Sequence, residues 1–235
     1  MKKINYGLIM KYILILISIL YLVFLYMDIN NKYTGVSKYL KLMCILLCFF
    51  LSLLYEHKAF SMCDIRLLQI GLFLTVFADF FLLILDNYYE IGVAIFILVQ
   101  IIYSIRYRTK KERGSVKKYI RMVGGVFLIY IVVYNFKKLP LILLLSLIYG
   151  ICFIINLYRS IIVYAENIYP KLNSIMVVVG MILFLLCDIN VAIFNIIKNS
   201  YFQFNGLLYK MSYVAMWFFY VPSQVLLSLS GYKFK

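Results

Sequence analysis

Long apolar runs separated by short polar breaks set the pattern of this chain. A helix that crosses a bilayer needs about 20 mostly apolar residues. Runs of that kind lie at about 8–27, 37–55, 66–86, 89–106, 119–135, 139–158, 172–197 and 207–230, numbered here as spans one to eight. The expected fold is all-α: a polytopic membrane helix bundle of about eight transmembrane helices, forming a single integral membrane domain over residues 1–235. The breaks are short, so consecutive spans should pack antiparallel. The exception is 106–121, RYRTKKERGSVKKYIR, which reads as a solvated basic loop centred on Gly114 and Ser115. Pro140 opens span six, where its missing N–H does no harm. Pro170 lies just before span seven, and Pro222 falls inside span eight, where it predicts a kink. The first run is too long for the apolar core of a secretory signal and lacks a small-residue cleavage site, so it reads as a span.

Composition changes this picture little. The chain is 66% hydrophobic and 14% charged, whereas soluble domains are about half apolar and a quarter charged. The net charge is +15, but Lys and Arg cluster at span ends, where anionic lipid and the positive-inside rule account for them without nucleic acid. With the N-terminus inside, the larger share of the 24 basic residues falls on the cytoplasmic side. The break between spans three and four, with Asp86 and Glu90, has none. Both termini are therefore expected in the cytoplasm. Abundant Lys, Asn, Ile, Tyr and Phe suggest an AT-rich bacterial genome, and with it the bacterial inner membrane. The cysteines (Cys44, Cys48, Cys63, Cys152, Cys187) form no CxxC pair, and one histidine, His57, lies in a loop, which argues against a zinc site.

Two spans carry an acid near the middle: Asp79 in span three and Asp188 in span seven. A charged side chain at that depth costs a few kcal/mol, about 3 on insertion scales, and chains rarely keep one without a partner or a use. In the expected orientation both spans run from inside to outside, and both acids sit about 5 Å to the outer side of the membrane centre. Their surroundings match as well, as Gly71-x7-Asp79 and Gly180-x7-Asp188. Gly71, Thr75 and Asp79 share one small, polar helix face, as do Asp188, Ala192 and Asn195. Small residues let helices approach closely or leave room for a ligand. The residues leave two uses open for the acids, a structural polar pair or a functional site for hydrolysis or proton movement.

Two further stripes are polar at helical spacing: Gly92, Phe96, Gln100 and Ser104 in span four, and Tyr220, Gln224 and Ser228 in span eight. Buried amides and hydroxyls need partners in lipid, so both faces should point into the bundle. Gln100, Tyr220 and Gln224 are candidate substrate contacts. Lys38 and Lys41, at the outer end of span two, read as interface lysines that snorkel, or as cations for a phosphate at a cavity mouth.

These residues resemble the YhhN family of eight-span membrane proteins, which includes the lysoplasmalogenases. The likeness covers most of the chain from span two onward. It is carried by Gly71-Leu72-Phe73 through Ala78-Asp79, then Gly92, Phe96, Gln100 and Tyr103; by Gly180 through Cys187-Asp188, with Ala192; by Tyr220 and Gln224; and by Lys41 at the start of span two. The chain departs from the family pattern at Ala78 (usually Gly), Cys187 (usually Ser), Gln100 (commonly His) and Leu42 (often Pro). The resemblance implies cleavage of the vinyl ether bond of a lysoplasmalogen to a fatty aldehyde and a glycerophospho-head group. Asp79 and Asp188 would be the catalytic pair, with Lys41, Gln100, Tyr220 and Gln224 on the substrate and no metal or other cofactor. Protonation of the vinyl carbon distal to the oxygen needs a general acid, and the oxocarbenium ion that follows needs negative charge and water. Two carboxyls can divide those tasks. Against this stand a small-solute or proton-coupled transporter, with the acids as relay groups, and a non-enzymatic lipid-binding scaffold.

Overall fold

The computed structural model describes residues 6–85, 88–107, 124–125, 131, 134, 140–199 and 206–234. Its helices are α1 (Tyr6–Ile29), α2 (Thr34–Leu54), α3 (Met62–Leu83), α4 (Tyr89–Arg106), α5 (Leu141–Ala165), α6 (Lys171–Asn199) and α7 (Gly206–Leu229), with a 3-10 turn at Glu56–Lys58. These seven are each long and apolar enough to cross a membrane. They match spans one to four and six to eight within a few residues, except that α5 runs on to Ala165. Most of span five and nearly all of the basic loop lie outside the described residues, as does Asp86. Within span five, Gly124, Gly125, Ile131 and Tyr134 are helical.

Consecutive described helices pack on one another from α1 to α7, and α7 closes the ring on α1 while also reaching α2 and α3. The repeated glycine spacing has a packing cause. A Cβ at Gly71 would collide with the Tyr103 ring of α4. At Gly180 it would press on Leu227 of α7 at 3.0 Å and on the Ser223 carbonyl at 3.4 Å. Each glycine thus admits the next helix in the chain, and α3–α4 and α6–α7 are the two most extensive helix pairs. The polar stripes of α4 and α7 are buried, as are Gly71, Thr75 and Asp79. The α6 stripe is not: Asp188 and Asn195 are half-buried and Ala192 is exposed.

Pro222 lies inside α7. It has no N–H for the carbonyl four residues earlier, that of Phe218. The Tyr21 hydroxyl of α1 donates to that carbonyl at 2.9 Å. Tyr21→Phe is expected to destabilise the bundle by about 1 kcal/mol. In a Pro222→Ala background the restored N–H takes the carbonyl, and the effect should vanish. Unfolding of the double-mutant cycle in detergent measures this coupling, and a coupling of zero would rule the account out.

At one end of the bundle the chain is stitched together by polar contacts. Arg106 grips Asp64 with two bonds, Nε to Oδ1 at 3.0 Å and Nη2 to Oδ2 at 2.9 Å, and Nη2 also donates to Ser230 Oγ at 2.9 Å. Tyr169 donates to the Arg106 carbonyl at 2.7 Å, and Asn173 Nδ2 to the carbonyls of Ser230 and Tyr232. Lys233 N–H donates to the Lys58 carbonyl at 2.9 Å. Arg106 and Arg159 are therefore not loop charges, as the distribution of basic residues suggests. Both are buried, and Arg159 donates to the Ser104 carbonyl at 2.8 Å and to its hydroxyl. Burial pushes the Tyr107 hydroxyl, just past the end of α4, up to about 12, against the pull of Arg106. It stays a neutral hydrogen-bonding group at physiological pH.

Candidate active site

Each intramembrane acid is held by a tyrosine from another helix. Tyr220 of α7 donates to Asp79 Oδ2 at 2.7 Å, and Tyr149 of α5 donates to Asp188 Oδ2 at 2.8 Å. Each bond uses one carboxyl oxygen and leaves the other for chemistry. The surroundings differ. Asp79 is 3% exposed, whereas Asp188 is half-buried. The acids make no hydrogen bond to each other, and α3 and α6 are bridged by α7, which packs on both. One aromatic cluster nevertheless joins the two pairs. The Phe184 ring lies 5.5 Å from that of Tyr220 and 6.1 Å from that of Phe96, which is itself 6.1 Å from Tyr149. Cys187 lies within electrostatic reach of both carboxyls, and Tyr220 within reach of Tyr149.

Gln100 belongs to the Asp188 side. Asn156 Nδ2 donates to its Oε1 at 2.8 Å and to its carbonyl at 2.7 Å. Its Nε2 is buried beside Tyr149, without a partner in hydrogen-bond geometry among the described residues. Gln224 is fully buried on α7, one turn from Tyr220, and neither amide atom has a partner among the described residues.

Lys41 departs from the expectation of a snorkelling lysine. It is 1% exposed and forms an ion pair with Asp28 at 2.7 Å. Its Nζ donates to the Tyr213 hydroxyl at 3.0 Å and lies 4.7 Å from the Trp217 ring centre. Ser37 donates to Asp28 Oδ1 at 2.6 Å. The cause is the turn between α1 and α2. Asn31 and Tyr33 take left-handed backbone there (φ 51° and 54°), folding the end of α1 back onto the start of α2. A lysine with a carboxylate and an aromatic wall inside the bundle has no reason to reach for water.

Asp28, Tyr149 and Asn156 were not singled out by the sequence pattern. Asp28 falls just past the end of span one, where an acid reads as a boundary marker. Tyr149 is one of 23 tyrosines. Its one distinguishing feature is that Asn156, seven residues on, shares its helix face. Two grooves on the surface of the bundle, of about 400 and 320 Å³, are lined by neither acid.

The described residues thus define a multi-pass membrane helix bundle with two tyrosine-held acids in its interior. The chain belongs to the YhhN family, whose model matches residues 33–231. That stretch holds Lys41, Asp79, Gln100, Asp188, Tyr220 and Gln224, while Asp28 lies before it. No curated protein and no solved structure matches the chain.

Proposed function

We propose that the protein is a lysoplasmalogenase-like hydrolase of a bacterial inner membrane, cleaving the vinyl ether bond of a lysoplasmalogen by acid–base catalysis with Asp79 and Asp188. The observation that carries this reading is the pair of Asp–Tyr contacts joined by one aromatic cluster. A hydroxyl donor holds each carboxyl in orientation, and the rings between the pairs suit an alkenyl chain. One carboxyl gives its proton to the vinyl carbon distal to the oxygen. The oxocarbenium ion formed is offset by the carboxylates, water adds to it, and the hemiacetal collapses to a fatty aldehyde and the glycerophospho-alcohol. Such positioned proton transfer is worth about 10²–10⁴-fold in rate.

Lys41 keeps a role as the phosphate contact in this proposal. Tyr213, which touches Lys41, and Tyr220, which touches Asp79, are seven residues apart on α7, about 10 Å along the axis. That is about the extended length of the seven bonds from the distal vinyl carbon to phosphorus. The phosphate would share Lys41 with Asp28, and Gln100 Nε2 would donate to the glycerol oxygens.

The test is aldehyde release by the purified protein in lipid vesicles. Lysoplasmalogen should yield fatty aldehyde, while its saturated alkyl-ether analogue, which has no vinyl carbon to protonate, should yield none. Equal processing of both, or of neither, would refute the proposed chemistry.

A further inference from the structure

We infer that the seam between α3 and α7 holds water that reaches Asp79 from the Arg106 end of the bundle, and that Asp79 is the acid that activates it. The water route stands on the geometry below. The role of Asp79 rests on the hydrolase reading above.

Two contacts set the chain of α7 alongside α3. Gly231 faces Ile65 and Leu68, and Tyr220 bonds Asp79. Gly231 lies just past the end of α7, so the Tyr220–Asp79 bond sets the register: the helices run antiparallel, and Thr75 and Gln224 each stand one turn from that bond toward the Gly231 end. Two buried polar stripes therefore flank one line: Gly71, Thr75 and Asp79 on α3, and Ser228, Gln224 and Tyr220 on α7. Each rises about 12 Å.

The polar groups along this line are short of partners. At the lower end, the Tyr103 ring covers Gly71 and lies 5.9 Å from the Tyr107 ring. The Tyr103 hydroxyl is buried and unpartnered among the described residues, and the buried Tyr107 hydroxyl and Arg106 guanidinium lie beside each other. Midway, both amide atoms of Gln224 are unpartnered among the described residues. The Thr75 hydroxyl donates to the Gly71 carbonyl at 2.9 Å and keeps lone pairs to accept. A buried donor or acceptor left unmade costs about 1–3 kcal/mol. Water with two to four polar neighbours is the usual remedy. Gln224, a substrate contact on the sequence pattern, thus becomes a carrier of water.

With water delivered to Asp79, the proton donor is Asp188. Asp188 protonates the vinyl carbon. Water adds to the oxocarbenium carbon and loses a proton to Asp79. In the collapse, Asp79 returns that proton to the departing glycerol oxygen, and the hemiacetal hydroxyl gives its proton to Asp188. Both acids end as they began, and the sum is one water consumed per bond cleaved.

Radiolytic hydroxyl labelling of the full chain in lipid nanodiscs, in oxygen-18 water, tests the route without reference to activity. Tyr103, Tyr107 and Tyr220 should label well above the equally buried Phe24 and Phe153. Labelling of all five at the same slow rate would overturn the route. In Gln224→Leu, Tyr220 should fall to that slow rate while Tyr103 keeps its label, and kcat for aldehyde release should drop about ten-fold or more with KM little changed. Thr75→Val, which conserves volume, should act in the same direction and serves if the leucine variant does not fold. Unchanged Tyr220 labelling in the variant would count against Gln224 as the carrier. Labelling without any aldehyde from the wild type would refute the hydrolase reading and keep the route. Aldehyde with an unlabelled Tyr220 would do the reverse.

Discussion

Asp79→Asn is expected to cut kcat for aldehyde release about 10²–10⁴-fold, with insertion and thermal stability close to wild type. The substitution is nearly isosteric, and the Asn carbonyl still accepts the Tyr220 hydroxyl that Asp79 accepts at 2.7 Å. What is lost is the capacity to take up and return a proton. Asp188→Asn should lose a comparable factor for the same reason, with the Tyr149 bond retained. KM should change little in either variant, because neither carboxyl is asked to hold the head group. Single-turnover kinetics in vesicles separates the two quantities. Full turnover in both variants would end the two-acid mechanism. A loss confined to one variant would leave a single-acid reaction with the other carboxyl as scaffold.

The largest effect on stability is expected at the other end of the bundle. Asp64→Ala should destabilise the protein by about 3–5 kcal/mol, the usual result of stripping a buried charge of its partner. Arg106 is 5% exposed and both of its bonds to carboxylate end on Asp64. It cannot turn to water without unseating Ser230, which the chain just past α7 contributes to the same site. Asp64→Ala with Arg106→Leu should recover most of the loss, since an apolar pair of similar volume is often as stable as a buried ion pair. Reversible unfolding in mixed micelles measures both variants. A double variant no better than the single one would mean that Arg106 is held by its other contacts and not by Asp64.

The spans were legible because the membrane imposes a one-dimensional rule. A helix of about 20 apolar residues satisfies its own backbone and needs no distant partner to be recognised. Asp79 and Asp188 were legible for a related reason, as the residues that break the rule in mid-span. The glycine spacing before them was legible too, but its meaning was not. It reads as matched surroundings for two acids, and its cause is packing: Gly71 admits Tyr103 of α4 and Gly180 admits Leu227 of α7. The two acids do not share an equivalent partner: one takes a tyrosine from α7 and the other from α5.

Lys41 shows the limit most plainly. At a span end a lysine reads as an interface residue, because local pattern places it near water. Asp28 lies only 13 residues earlier in the chain, but their meeting depends on how one turn folds. Tyr220 lies 141 residues from Asp79, and Tyr149 lies 39 from Asp188. Periodicity turns Tyr220 inward with Gln224 and Ser228 but does not say which acid it meets, and it does not single out Tyr149.

By itself, then, the sequence determined a membrane bundle, the positions of its helices and the two acids that its interior must accommodate, since hydrophobicity and its violations are properties of single residues and short windows. The tertiary structure alone decided which group faces each acid, that Lys41 turns inward to Asp28, and that the Gln224 amide is buried with no partner among the described residues. Those depend on which helices touch and in what register, and register between helices is set by side-chain packing across the bundle, not by pattern along the chain.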